Sequence, residues 1–225
     1  MTSTRRKGAA GAKRPQKRSE ENRQRILAAA ERIFAARGYS DTSIDSVAEA
    51  VDMFQPGIYY YFPSKQALYE EVVRNSIGSL DDRIKELIVS VDPPEERLLS
   101  SVGAWLDLLT ERPTLGHLIL HEAARPDASA IARILPEMGT RVQSLVADAF
   151  SELGLEPSPD DVLHFASYTT GSAVFFVAAM QPLWSGHKGV GASMERHKQL
   201  LLKGTRDLIQ TMRDESAERK HARRA

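Results

Sequence analysis

The sequence predicts an all-α protein: an N-terminal three-helix helix-turn-helix head on a larger helical body, about nine helices in all. Three observations carry this. Apolar residues recur at helical spacing along most of the 225 residues, and no segment alternates with the period of two that a half-buried strand shows. Gly and Pro punctuate the chain between those stripes, at Gly38, Pro93-Pro94, Pro113 and Gly154 to Pro159. Around Asp52-Met53-Phe54, two short helical patterns lie only three to four residues apart, the spacing of a helix-turn-helix.

In order, residues 1–18 hold Arg5, Arg6, Lys7, Lys13, Arg14, Lys17 and Arg18 with no acids and little to bury, and read as a disordered basic arm. Such an arm is suited to touching phosphates or entering a minor groove. Ser19 is the expected N-cap of the first helix, 19–37, with Glu20 and Glu21 in its first turn and Gly38 as its stop. The second helix, 43–51, buries Ile44, Val47, Ala48 and Val51 on one face. Asp52 supplies the left-handed residue that a sharp turn needs. The third helix, 55–61, opens with Pro56 in its first turn. Ser64 caps a fourth helix whose stripe, Leu68 through Leu87, continues to about Val89.

Beyond the break at Asp92-Pro93-Pro94, a fifth helix carries Leu98, Val102, Trp105, Leu106 and Leu109 and ends before Pro113. A short sixth runs from about Thr114 to Ala124. A seventh spans Asp127 to Leu153, with Pro136 expected to kink it. The eighth covers about Pro159 to Gln181 and the ninth about Ala192 to Met212, leaving ERKHARRA as a frayed basic end. From Val162 to His187 only the two histidines could carry charge, a length that would cross a membrane. Ser167, Thr169, Thr170, Ser172 and Gln181 argue instead for a buried helix, with Gly171 and Ser172 marking close helix approach.

The thirty basic and thirty acidic side chains cancel over the chain but not along it. Residues 1–65 hold 12 Lys/Arg against 7 Asp/Glu, a net of +5; residues 66–225 hold 18 against 23, a net of −5. That asymmetry suits a polyanion-binding head and a separate sensing or assembly body. The absence of cysteine excludes disulfides, thiolate metal sites and thiol nucleophiles, and fits a reducing cytoplasm. The N-terminus lacks the apolar core of a signal peptide, so a soluble cytoplasmic protein is expected.

The stretch from Ser19 to Leu68 resembles the tetracycline-repressor (TetR/AcrR-like) transcriptional regulators. The resemblance rests on Gly38-Tyr39, Thr42-Ser43-Ile44, Val47-Ala48-Glu49-Ala50, Gln55-Pro56, Ile58-Tyr59-Tyr60-Tyr61-Phe62 and Ser64-Lys65-Gln66-Ala67-Leu68. It implies that the third helix enters the major groove, exposing Gln55, Pro56, Gly57, Tyr59 and Tyr60. Gln55 has the amide that pairs bidentately with an adenine edge. Tyr59, Tyr60 and Tyr61 offer hydroxyls to phosphates, while Ile58 and Phe62 point inward. Thr42, Ser43 and Lys65, at helix starts, are expected phosphate anchors. Two positions depart from the family pattern: Asp45 disfavours a phosphate contact, and Gly57 removes one side chain that would read bases.

The resemblance further implies a homodimer formed through the last two long helices, with Ala173, Val177, Met180, Leu201, Leu208 and Met212 as candidate contacts. It implies a pocket within the body for a largely apolar small molecule, with Trp105, Leu109, His117, His121, Met138, Phe175 and Phe176 as candidate lining. Phe150 and Trp184 are further aromatics of that body. The expected organisation is therefore an arm over 1–18, a helix-turn-helix domain over 19–65, a helical ligand-binding and dimerisation domain over 66–215 and a basic tail over 216–225. Double-stranded DNA bearing a palindromic operator is the expected partner, and no cofactor, metal or membrane is implied.

The alternative is an all-α small-molecule-binding protein or enzyme without DNA function. Its support is thin: Ser185-x-x-Lys188 stands in a Gly-rich loop without supporting elements, and GAAGAK lacks the strand and hydroxyl residue of a phosphate-binding loop. His117 and His121 share a helical face at i, i+4 but have no evident third metal ligand. The expected protein is not an enzyme.

Overall fold

The computed structural model describes residues 13–90, 93–124, 146–184, 186 and 193–222. Among the described residues all regular structure is helical and there is no strand. The chain divides into two compact units, Met1–Val72 and Val73–Ala225. The division falls seven residues beyond the expected boundary at 65, because the first turns of the fourth helix belong to the head. There Leu68, Tyr69 and Val72 are buried, and the Tyr69 ring meets Phe34 edge-on at 4.8 Å.

In the head, α1 is Lys13–Arg37, α2 Ile44–Ala50, α3 Gln55–Tyr61, and α4 Lys65–Ser90 continues past the boundary. The first helix starts six residues before Ser19, taking in the end of the stretch expected as a disordered arm. Pro15 sits in its first turn, where a missing amide donor costs nothing. Ile26, Leu27, Ala30 and Phe34 form its buried face. Gly38, at φ 73°, ends it by donating its amide to the Phe34 carbonyl at 2.8 Å. Ser64 caps α4, its hydroxyl accepting the Ala67 amide at 3.0 Å.

The body comprises α5 Pro94–Glu111, α6 Pro113–Ala123, a helical stretch at residues 146–152 (α7), α8 from Pro159 to Trp184, and α9 Ser193–Ala222. Met138, Pro136 and most of the expected seventh helix lie outside the described residues, as do Ser185 and Lys188. Arg112 separates α5 from α6, since the residue before Pro113 is driven out of the helical region. A capping box opens α8: the Asp161 amide donates to the Ser158 hydroxyl, and the Ser158 amide donates to the Asp161 carboxylate at 2.8 Å. That backbone hydrogen bond, aided by Arg219, holds the Asp161 carboxyl below its ordinary value.

Two π turns, Ser167–Gly171 and Phe176–Met180, interrupt α8. They have a packing consequence. Phe165, Thr169, Ala173 and Val177 are all buried and repeat every four residues. An unbroken 3.6-residue helix would rotate such a row by about 40° per step. The π turn at Ser167–Gly171, inside that row, takes up an extra residue and reduces the drift away from the core. That core joins Leu98, Leu106 and Leu109 of α5 to Leu115, Phe150, Phe165, Val177, Leu201, Ile209 and Met212. Close helix approach does occur, but not at Gly171, which faces open space. It lies at Gly116, where a Cβ would stand 3.2 Å from Ala178, and at Gly204, where a Cβ would overlap the Tyr168 hydroxyl.

The ninth helix runs ten residues past the expected end at Met212. Residues expected as a frayed tail are helical to Ala222 and held in place. Ser216 is buried, Arg219 reaches Asp161 at 3.4 Å, and Lys220 donates to the Gly154 carbonyl at 2.8 Å. The helix Pro159–Leu183 is long and apolar enough to cross a membrane, and a third of its most apolar window is buried.

Candidate nucleic-acid interface

The turn between α2 and α3 is built from its backbone. Val51 ends α2 by donating to the Ala48 carbonyl, and Met53 donates to the same carbonyl at 2.9 Å. Between them Asp52 adopts φ 54°, the left-handed conformation expected of it. Arg25 of α1 donates to the Val51 carbonyl at 3.2 Å, placing a cation at the negative end of α2. Ile58 and Phe62 are buried, as expected, and fix the inner face of α3. The Arg23 guanidinium lies 5.3 Å from the centre of the Phe62 ring and pairs with Glu71 at 2.7 Å, tying α1 to the start of α4.

With that face fixed, Gln55, Pro56, Tyr59 and Tyr60 are exposed, Tyr60 at 80%. Gly57 is half-buried; a Cβ there would come within 2.9 Å of the Met53 methyl, so Met53 occupies the space a larger residue would claim. Ser43 is exposed and caps α2, its hydroxyl oxygen accepting the Ser46 amide at 3.1 Å. Asp45 follows, exposed in the first turn. The Lys65 ammonium donates to the Ser40 carbonyl at 3.2 Å and lies 4.4 Å from the Tyr39 ring, an arrangement that fixes the side chain at the start of α4.

Two expected phosphate groups are placed otherwise. Thr42 is only 3% exposed and its hydroxyl donates to the Gly38 carbonyl at 2.8 Å. It closes the α1–α2 turn instead of facing outward, because the left-handed Gly38 leaves its own carbonyl in need of a donor. Tyr61 is half-buried, its ring edge-on to Tyr60 at 5.1 Å and its hydroxyl accepting from Asn22 of α1 at 3.4 Å. Phe54 adds an exposed aromatic directly before α3. This residue is the N-cap of α3, makes no side-chain cap and is 88% exposed.

In the body, the expected ligand-lining residues separate. Trp105 and Leu109 are in the core, and His117 and His121 are half-buried on α6. Phe175 is 54% exposed and does not line the interior, whereas Phe176 stacks on His197 at 3.8 Å. Burial lowers the His197 pKa below its ordinary value. The ring nitrogens Trp105 Nε1 and His197 Nε2 are buried without a hydrogen-bond partner among the described residues. Of the expected dimer contacts, Ala173, Val177, Leu201 and Met212 are buried in the chain's own core, and Met180 and Leu208 are half-buried. Exposed apolar side chains of the body include Val162, Leu163, Tyr168, Phe175 and Leu183 of α8 and Leu200 of α9.

Residues 26–72 match the family described as bacterial regulatory proteins, tetR family. The chain is 27% identical over 124 residues to the HTH-type transcriptional activator FasR of Mycolicibacterium smegmatis, covering 54% of this chain and 56% of that protein. It is 26% identical over 103 residues to the HTH-type transcriptional repressor KstR2 of the same organism, covering 46% and 50%. The chain thus spans about half the length of these curated relatives. Among solved structures it is similar to a tetR-family transcriptional regulator from Streptomyces coelicolor, at TM-score 0.61 and 21% identity over 88% of this chain and 85% of that one. It is also similar to the regulator FadR from Bacillus subtilis in complex with stearoyl-CoA, at TM-score 0.62 and 18% identity over 80% and 98%. The likenesses to solved structures establish the fold, and the curated relatives named above are transcriptional regulators.

Proposed function

We propose, from a head whose residues 26–72 match the tetR family of bacterial regulatory proteins, that this chain is a cytoplasmic, homodimeric transcriptional repressor released from a palindromic operator by a small-molecule ligand. The observation that carries the reading is α3. Its inner face is fixed by Ile58 and Phe62, and its outer face presents Gln55 at the end that a helix-turn-helix directs at base edges, with Tyr59 and Tyr60 exposed further along. Gln55 reads a base, Tyr59 and Tyr60 reach sugar or phosphate, and Ser43 and Lys65 set the register on the backbone. The two heads of a dimer then read half-sites about 34–36 Å apart.

The exposed apolar face of α8 supports the dimer. Tyr168, Phe175 and Leu183 are exposed at intervals of seven and eight residues along α8, and Leu163 and Leu200 are exposed as well. A water-soluble chain covers a surface of this kind, and a second copy related by a two-fold axis is the commonest cover. A largely apolar ligand would occupy the body, where Trp105 Nε1 and His197 Nε2 offer a donor and an acceptor. The stearoyl-CoA held by the Bacillus subtilis FadR is an example of such a ligand on this fold. Ligand binding would act through α4, which runs from the head into the body, provided the ligand binds one head arrangement more tightly than the other.

The test is fluorescence anisotropy with the DNA upstream of the protein's own gene, across a salt series. Binding to a palindromic segment with a steep salt dependence is expected. Absent or salt-insensitive binding to palindromic duplexes sinks the reading.

A further inference from the structure

The leading edge of α3 combines three features that its family resemblance does not account for. First, the N-cap is Phe54, where Ser, Thr, Asp or Asn would accept a free amide of the first turn; no side-chain cap is made. Second, the ring is 88% exposed while its backbone is fixed, extended at φ −87° and ψ 152° with the Phe54 carbonyl accepting the Gly57 amide at 2.8 Å. Third, Gly57, one turn further on, has no side chain to stand beside the ring, and the Met53 methyl occupies the adjoining space. The result is an exposed apolar ring on a hydrogen-bonded backbone directly before Gln55.

We propose that Phe54 is a specificity-determining residue that packs its ring against the C5-methyl of a thymine in the major groove, beside the base read by Gln55. The inference rests on the DNA-binding reading above. Thymine is the base that displays a methyl in the major groove, and Phe is among the residues that recognise it. Continuity with Gln55, at the end of the helix that faces the bases, selects DNA over a protein partner for this ring. The loss of a base reader at Gly57 is thereby offset by an apolar reader three residues earlier.

The experiment starts from the duplex that the full-length protein enriches from a randomised DNA pool. Each thymine of that duplex is replaced in turn by deoxyuracil, which removes only the methyl. At the contacted position the wild-type protein should lose on the order of fourfold in affinity per substituted half-site. Phe54→Ser should bind the thymine and uracil duplexes alike. Because Ser supplies the missing cap, this variant should melt at an equal or higher temperature, which separates a lost contact from a damaged fold. Phe54→Leu, still apolar, should keep part of the methyl preference and carries the comparison if Phe54→Ser proves unstable. If no thymine methyl matters more to the wild type than to the variants, the proposal is overturned and DNA binding stands. If no duplex is enriched, both fall.

Discussion

Head and body place their exposed aromatic and apolar side chains differently. In the head they are gathered on one short helix and its cap, Phe54, Tyr59 and Tyr60, beside an exposed amide at Gln55. In the body they are strung along a 25-residue helix that exposes Leu163, Phe175 and Leu183 with no charged group among them from Val162 to Leu183. A compact, polar-edged patch suits a grooved polyanion, and a long apolar face suits another apolar face. The contrast teaches that exposure alone does not define a site; the chemistry next to the exposed ring does.

The largest effect that tests this contrast is in the head core. Ile58 is fully buried, so Ile58→Ala should cost about 2–5 kcal/mol and abolish DNA binding. Light scattering should still find the same oligomer, and loss of both properties would break the separation between the units. Next is a pair on α8. Phe175→Lys should weaken self-association by on the order of 10- to 100-fold in sedimentation while the subunit stays folded. Val177→Lys, at 1% exposure, should instead unfold the body. If Phe175→Lys remains dimeric at low concentration, this face is not the interface.

A smaller effect sharpens the head. Gln55→Ala should cost about 1–3 kcal/mol against the preferred duplex and little against random DNA, whereas Lys65→Ala should weaken all duplexes and lower the salt slope by about one. Equal loss on all DNA from Gln55→Ala would move that residue from base to backbone. The smallest effect is in the body. His197 has a lowered folded pKa, so the unfolded chain takes up a proton that the folded one refuses as pH falls below the ordinary 6.5. Its neutral form therefore contributes fully above that pH, and stability is lost as pH falls from 6.5 through the folded pKa. Melting followed at pH 7.5 and 5.5 should show the decline, and His197→Phe, which keeps a ring on Phe176, should reduce it.

Much of the head was legible because its signals are local. Gly38 and Asp52 are residues that tolerate positive φ, and both adopt it. Ser64 caps the helix it precedes, and α3 has the expected bounds. What failed in the head concerns direction. Thr42 sits at a helix start, where its hydroxyl could serve a phosphate or a carbonyl, and only the fold puts the Gly38 carbonyl in reach. The exposure of Phe54 was not legible either, because burial of a side chain beside a turn is decided by packing from elsewhere in the chain.

The body was legible in its helices and not in their faces. A helix that is apolar on every side gives no periodic signal of which side is interior. Phe175 and Val177, two residues apart, point to opposite sides of α8, and only packing decides that Val177 faces inward and Phe175 outward. The length of α9 was hidden for a similar reason, since Arg219 and Lys220 read as solvated charges until Asp161 and the Gly154 carbonyl come beside them. The sequence by itself determined the all-helical class, the turns and the helix-turn-helix, because backbone conformation at Gly, Asp, Pro and capping residues is decided by neighbours along the chain. Tertiary structure alone decided which groups face outward, because burial depends on residues far apart in sequence.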